Sequence, residues 1–202
     1  MPALGIDTCT GACSVAVTRG EAVLASLSEP RERGHVERLA PMVAEALARA
    51  GLVPAELQRI VCVTGPGSFT GARLAVAFIR ALALACGARA AGASVFDVLA
   101  ADGRTRLVAM DARRGTVFAA MCEGGAAGEA AEMTPGEAAG LAGGRSTRLA
   151  GSGAGLVAAA APDAPWTMEP WAPLDPVAVA RMPGGAAPAP LYLRPPDAKP
   201  AA

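Results

Sequence analysis

Apolar residues in the first half of the chain follow two different spacings, and their order predicts an α/β fold. Period-2 runs separated by tight turns predict three strands joined by hairpins: Ala3–Ile6, Ser14–Thr18 and Ala22–Ser28. Apolar residues spaced three and four positions apart then predict a helix over Val36–Ala50. A strand at Arg59–Val63, an apolar helix at Ala72–Cys86 and a strand at Arg89–Ala93 follow.

The second half begins with the same arrangement as the first. Asp7 follows the first predicted strand and opens a turn, and Asp111 does the same after the run Arg106–Met110. This weak internal repeat indicates two related lobes, which we place at residues 1–104 and 105–202. Because 11 of the 17 prolines fall from Pro162 onward, we expect the second lobe to be smaller and less regular.

Composition narrows the function classes. Lys plus Arg and Asp plus Glu both total 18, for a formal net charge of zero. Proteins that hold nucleic acid through its phosphates usually carry a basic excess, so this balance argues against strong direct binding of nucleic acid. Apolar residues reach 52%, but much of that fraction is alanine.

The cysteines and the single histidine bear on metal binding and location. The five cysteines form no Cys-x-x-Cys pair, and His35 is the only histidine, so we expect reduced core thiols and no metal site. His35 lies at a predicted helix start, where a capping or surface role is commoner than catalysis. The sequence has no run of 18 large apolar residues and no basic-then-apolar start. We therefore expect a cytoplasmic protein without a membrane span.

Two turns are candidates for chemistry. The glycine-rich segment 65–71 follows a strand and opens a helix, where free N–H groups could hold a phosphate. It lacks the phosphate-loop pattern, and close packing explains its glycines equally well. The acidic turn at residues 7–11 has the same two interpretations.

The helix predicted over Ala72–Cys86 indicates a partner. Only Arg73 and Arg80 are charged in this segment, so apolar side chains occupy almost every side of the helix. Such a helix needs packing partners on all of its sides. A sheet can cover one face, and the other needs a second helix or another chain. Complete burial within this chain and an interface are the two alternatives. An interface would also make the isolated chain a homodimer.

The order of several motifs extends over nearly the whole chain. An Ile-Asp-Thr start is followed by Arg-Gly-His-Val-Glu-Arg-Leu-Ala-Pro at residues 33–41 and by Gly-Pro-Gly-Ser-Phe-Thr-Gly at residues 65–71. Met-Asp-Ala-Arg-Arg-Gly at residues 110–115 and Pro-Leu-Tyr-Leu-Arg at residues 190–194 complete the series. In this order and spacing the motifs resemble the bacterial TsaB (YeaZ) family.

This resemblance implies an actin-like (ASKHA) fold with two ribonuclease-H-like lobes. It also implies a role in making threonylcarbamoyladenosine in tRNA, as a non-catalytic scaffold that activates a catalytic TsaD-like subunit. A TsaE-like ATPase engages that pair, so ATP is expected at the level of the complex and not bound tightly here, and tRNA is contacted only indirectly. A stand-alone actin-like ATPase or kinase using Asp7 and Asp111 is the alternative. In an actin-like fold the nucleotide cleft would be degenerate here, with Asp7, Thr8, Gly67, Ser68 and Asp111 as its candidate residues.

In the resembling family the surface that contacts TsaD is formed by the first two helices. Here those helices match the segments Val36–Ala50 and Ala72–Cys86. The apolar positions of the two segments are therefore the candidate interface residues: Val36, Leu39, Val43, Leu47, Leu74, Phe78 and Leu82.

Overall fold

The structure is a computed structural model that describes residues 1–183 and 187–194. Its first sheet has five strands: β1 (Pro2–Asp7), β2 (Ala12–Arg19), β3 (Ala22–Pro30), β4 (Arg59–Val63) and β5 (Arg89–Ala93). Their order is β3-β2-β1-β4-β5; β1 pairs antiparallel with β2, and β1, β4 and β5 run parallel. The predicted strands are confirmed, each within a few residues.

The second sheet has six strands, several of them very short: β6 (Arg106–Asp111), β7 (Val117–Glu123), β8 (Ala126–Ala127), β9 (Ala131–Met133), β10 (Thr147–Ala150) and β11 (Trp166–Met168). Their order is β11-β10-β6-β7-β8, and β9 also pairs with β7. These short strands fit the expected irregularity of the second lobe.

Within the described residues, six α-helices connect and cover the sheets: α1 (His35–Ala50), α2 (Phe69–Cys86), α3 (Val95–Ala100), α4 (Pro135–Gly140), α5 (Ala154–Ala160) and α6 (Pro176–Arg181). A short 3-10 turn, Pro54–Glu56, lies between α1 and β4. The Ser94 hydroxyl caps α3 by accepting from the Asp97 N–H, and Asp97 accepts from the Ser94 N–H in return. The spacing Ser-x-x-Asp at residues 94–97 is the sequence pattern typical of such a capping box.

The internal repeat is present in the topology. Strands β6, β7 and β9, helix α4, β10 and α5 follow one another as β1, β2, β3, α1, β4 and α2 do, and the strand orders match. The last helix of each half packs on the other half's sheet: α3 contacts β6 and β7, while α6 contacts β1 and β2. Helix α6 thus returns to the first sheet, and the boundary at 104/105 stays a prediction.

Helices α1 and α2 share one core with the first sheet. Leu39, Val43 and Leu47 are almost fully buried there. These three are candidate interface residues in the sequence analysis, but the structure places their side chains in the interior, where a partner cannot touch them. Helical spacing identifies an apolar stripe and does not say whether sheet or partner covers it.

Helix α2 begins three residues before its predicted start. The Ser68 hydroxyl accepts a hydrogen bond from the Gly71 N–H at 3.1 Å and caps the helix. The segment Phe69–Gly71, expected in the turn, is therefore helical.

By length and composition, α2 is also apolar enough to cross a membrane, with a mean hydropathy of 1.6. A third of its residues are buried inside the molecule. One such helix is weak support for a membrane span, because core helices of soluble proteins meet the same criteria.

Candidate functional site

A cleft of about 1200 Å³ lies between the two lobes. It is lined by the Asp7 turn and segment 65–69 of the first lobe, by the Asp111 turn of the second, and by the C-terminal segment 191–194. The structure therefore brings both predicted turns to one place. Of the candidate nucleotide-cleft residues, Thr8, Gly67, Ser68 and Asp111 line the cleft, and Asp7 lies behind it.

Asp7 is fully buried, and its carboxylate is used inside its own turn. Oδ1 accepts from the Cys9 N–H at 2.7 Å, and Oδ2 accepts from the Thr10 hydroxyl. The Thr10 hydroxyl in turn accepts from the Leu174 N–H at 3.0 Å. Burial raises the pKa of Asp7 to about 6, although these hydrogen bonds oppose the rise. Asp7 therefore holds a turn together and does not face the cleft.

The glycine-rich segment packs directly on this turn. A Cβ added to Gly67 would lie 2.4 Å from the Cys9 carbonyl oxygen, and one on Gly71 would lie 1.8 Å from that of Thr8. The Thr8 hydroxyl donates to the Gly71 carbonyl at 2.7 Å, and the Ser68 N–H donates to the Cys9 carbonyl at 2.9 Å. Close packing of two turns thus accounts for these glycines.

The Asp111 turn of the second lobe is built in a similar way to the Asp7 turn, but the Asp111 side chain is more exposed than that of Asp7. The Asp111 N–H donates to the Ser152 hydroxyl at 3.0 Å, and Asp111 Oδ1 accepts from the Arg113 N–H at 2.7 Å. The Gly153 N–H donates to the Ala109 carbonyl at 2.9 Å. Unlike Asp7, Asp111 lines the cleft and is partly exposed.

An aromatic and arginine group lies at the cleft mouth, and sequence reasoning missed it. The Arg73 guanidinium lies 3.7 Å from the centre of the Phe69 ring, and its Nε donates to the Tyr192 hydroxyl at 2.9 Å. The Phe69 and Tyr192 rings are 5.4 Å apart and remain 54% and 51% exposed. Phe69 lies in the motif at residues 65–71 and Tyr192 in the motif at residues 190–194, so the sequence does single out both segments. The two residues are 123 positions apart, however, and no sequence spacing predicts that they touch.

An arginine, the histidine and the cysteines are the remaining side chains whose chemistry could serve catalysis or metal binding. Arg106, the first residue of β6, is buried and pairs with Asp102 at 2.5 Å. His35 begins α1, as expected, and lines the cleft. Four of the five cysteines are buried and none is in a disulfide, as predicted. Across residues 1–183 and 187–194, no group of three or more His, Cys, Asp or Glu side chains is arranged to hold a metal ion.

The outer face of α2 carries apolar side chains beside the exposed Arg73 and Arg80. Leu74, Phe78 and Leu82 are only partly buried against the core, and Leu84 is 88% exposed. On α1, Val36 is 62% exposed. Complete burial of α2 within this chain is therefore wrong. Three of the seven candidate interface residues lie on its open face, and a fourth, Val36, is exposed on α1.

Comparison with known proteins gives both a fold and a family. A sequence model described as "TsaD: tRNA N6-adenosine threonylcarbamoyltransferase" matches residues 25–147. A crystal structure described as an uncharacterized protein with similarity to peptidase YEAZ from Pseudomonas aeruginosa has a TM-score of 0.77 at 30% identity, and the match covers 96% of this chain and 99% of that one. Component A of (R)-2-hydroxyglutaryl-CoA dehydratase from Acidaminococcus fermentans has a TM-score of 0.50 at 11% identity. The fold is actin-like, as predicted.

Two sequence relatives extend the comparison. An uncharacterized protein of Mycobacterium tuberculosis is 37% identical over 98% of this chain and 94% of its own length. The tRNA threonylcarbamoyladenosine biosynthesis protein TsaB of Escherichia coli is 38% identical over 58% of this chain and 53% of its own length. The TsaD-type match fits these results, because the two families share the fold. The chain therefore belongs to the TsaB (YeaZ) family, whose named members serve tRNA threonylcarbamoyladenosine biosynthesis.

Proposed function

We propose that this chain is a non-catalytic, activating subunit of the complex that makes threonylcarbamoyladenosine in tRNA, and that it pairs with a catalytic TsaD-like subunit. The observation that carries the proposal is the open apolar face of α2, which ends in the 88% exposed Leu84. An exposed apolar helix face beside a second helix is typical of a protein interface.

The chemistry of the cleft supports a non-catalytic role. Asp7, the acid that an actin-like ATPase would use to orient phosphate or metal, is buried and bonded to Cys9 and Thr10. The chain has one histidine, whereas a TsaD-type metal site needs two closely spaced ones. For the same reason a metallopeptidase is the weakest function to assign here.

We place the partner surface on residues that the fold leaves accessible. Val36, Leu74, Phe78 and Leu82 form it together with Leu84. Leu39, Val43 and Leu47 support it from the core.

The remaining partners follow from this assignment. In the proposed complex a TsaE-like ATPase engages the pair formed by this chain and the TsaD-like subunit. ATP acts at the level of that complex, and the TsaD-like partner holds the tRNA. The zero net charge of this chain accords with indirect contact to tRNA. The proposed complex acts in the cytoplasm. Without its partner the same apolar face would join two copies of this chain into a homodimer.

Co-purification tests the proposal directly. We expect Ala81→Arg, on the exposed side of α2 next to Phe78, to abolish pairing with the TsaD-like subunit, because it buries a charge without removing core atoms. Phe78→Asp should do the same. Leu156→Asp, at an exposed apolar position on α5 of the second lobe, is the matched control and should pair normally. Unchanged pairing of folded Ala81→Arg protein would refute the interface.

A stand-alone actin-like ATPase or kinase is the second candidate, and the open cleft with Asp111 at its edge favours it. Calorimetry of the isolated chain with ATP and magnesium separates the two functions. Tight binding with turnover would support the ATPase, and weak binding or none would support the activating subunit.

A further inference from the structure

The two lobes are joined by packed helices and a shared core cluster, and a cleft opens between them beside that cluster. On the joined side, α3 and α6 each pack on the opposite lobe, and one core cluster includes Val63 of β4, Phe96 of α3 and Met110 of β6. The cleft borders this cluster, since Met110 belongs to both, and beyond it the lobes face each other across open space. Two bodies that are connected along one edge can open like a hinge unless something ties the free edge.

The segment 187–194, near the C-terminus, crosses this free edge. On the first lobe the Leu191 N–H donates to the Thr64 carbonyl at 2.9 Å, and the Tyr192 hydroxyl accepts from Arg73. Pro188 passes over Gly92, where an added Cβ would lie 3.3 Å from the proline Cα. The segment is thus attached to the first lobe at three points.

On the second lobe the segment ends in a polar contact of several bonds. Arg194 Nε donates to Glu132 Oε2 at 2.7 Å, and its Nη2 donates to the other Glu132 oxygen. The same nitrogen donates to the Ala112 carbonyl and the Thr116 hydroxyl, each at 3.2 Å. A bidentate arginine–carboxylate contact fixes direction as well as distance, so Arg194 holds the β6–β7 turn and β9 together.

We propose that the segment 187–194 is an interlobe latch that fixes the width of the cleft, and that the Arg194–Glu132 contact is its lock. With the latch closed, side chains from both lobes form one surface of constant shape at the cleft mouth. A surface that is already formed binds a partner without the cost of ordering it. The latch is a property of the chain's own conformation and does not depend on the proposed function.

The lock holds over the whole physiological pH range. Hydrogen bonds from Arg194, and then from Thr116, lower the pKa of Glu132 to about 2, and Arg114 adds a favourable charge. Both partners of the lock therefore stay ionised from mildly acidic to alkaline pH. Substitution, and not pH, is the means to open the latch.

The test measures the distance across the cleft mouth in the full chain. Nitroxide labels at Arg33→Cys and Arg113→Cys, both at exposed cleft positions, report on the two lobes in a Cys86→Ser background. Electron–electron double resonance should give one narrow distance distribution with the latch intact. Arg194→Gln should shift the distribution to longer distances and broaden it. Amide hydrogen exchange should show that Leu191 loses its protection in the same variant.

Controls separate the latch from a general loss of stability. Arg148→Gln removes an ion pair to Glu169 that lies wholly within the second lobe, and it should leave the distribution unchanged. Glu132→Gln keeps the shape of the lock and weakens it, so it serves if Arg194→Gln does not fold. Unchanged distributions in both lock variants, or an equal shift in Arg148→Gln, would overturn the proposal.

Discussion

The Thr8 carbonyl oxygen lies where a Cβ on Gly71 would be: the two would be only 1.8 Å apart. The first turn of α2 therefore sits on the Asp7 turn with no room for a side chain between them. The Thr8 hydroxyl reinforces this contact by donating to the Gly71 carbonyl. One glycine thus sets how the glycine-rich segment and the end of β1 meet at the cleft.

Alanine at position 71 should reverse the usual effect of glycine replacement in a helix. We expect Gly71→Ala to destabilise the protein by about 2–3 kcal/mol, because backbone atoms must move. Gly155→Ala, in α5 with open space around it, should stabilise by about 0.5–1 kcal/mol. Urea unfolding of the two variants measures both effects. Equal effects of the same sign would contradict the packing described here.

The buried carboxyl of Asp7 should make stability depend on pH. Its pKa is raised by burial from 3.8 to about 6, so the folded state binds a proton more tightly than the unfolded state does. Its contribution to the free energy of unfolding is fully present below about pH 4 and falls by about 3 kcal/mol as pH rises through 6.

Asp7→Asn isolates this contribution, because the amide cannot ionise. The difference in free energy of unfolding between the variant and the parent chain should move in the variant's favour between pH 4 and pH 7. Thermal unfolding at several pH values measures it. A difference that stays constant over this range would show that Asp7 does not titrate in the folded state as described.

Two leucines on the neighbouring helices should behave oppositely. Leu39 of α1 is 1% exposed, so Leu39→Ala should destabilise the fold by about 2–5 kcal/mol. Leu84→Ala should change stability by less than about 0.5 kcal/mol, yet weaken pairing with the TsaD-like subunit. Chemical unfolding and a pull-down on each variant separate a core role from an interface role. Strong destabilisation by Leu84→Ala would contradict its exposure.

The isolated chain should self-associate through the same face. We expect a dimer mass at micromolar concentration and a monomer mass for Ala81→Arg, because the charge would be buried in the dimer. Sedimentation equilibrium with Leu156→Asp as control measures this. A monomeric parent chain would remove the homodimer from the account.

Sequence reasoning reached the strands and helices of the first lobe because their periodicities are strong and their turns are explicit. It found the repeat through Asp7 and Asp111 for the same reason. It placed Leu39 in a partner interface, whereas the structure buries this side chain in the core. An apolar stripe on a helix has the same sequence spacing whether a sheet or a partner protein covers it. The segment ending at Arg194 has no periodicity, so its contact with Glu132, 62 positions earlier, depends on tertiary structure alone.

The threonylcarbamoyladenosine content of tRNA reports directly on the proposed function. It should be measured by mass spectrometry after depletion of this protein and after re-expression of the parent chain or of Ala81→Arg. We predict that the modified nucleoside is lost on depletion, restored by the parent chain and not restored by Ala81→Arg. An unchanged content after depletion would contradict the account.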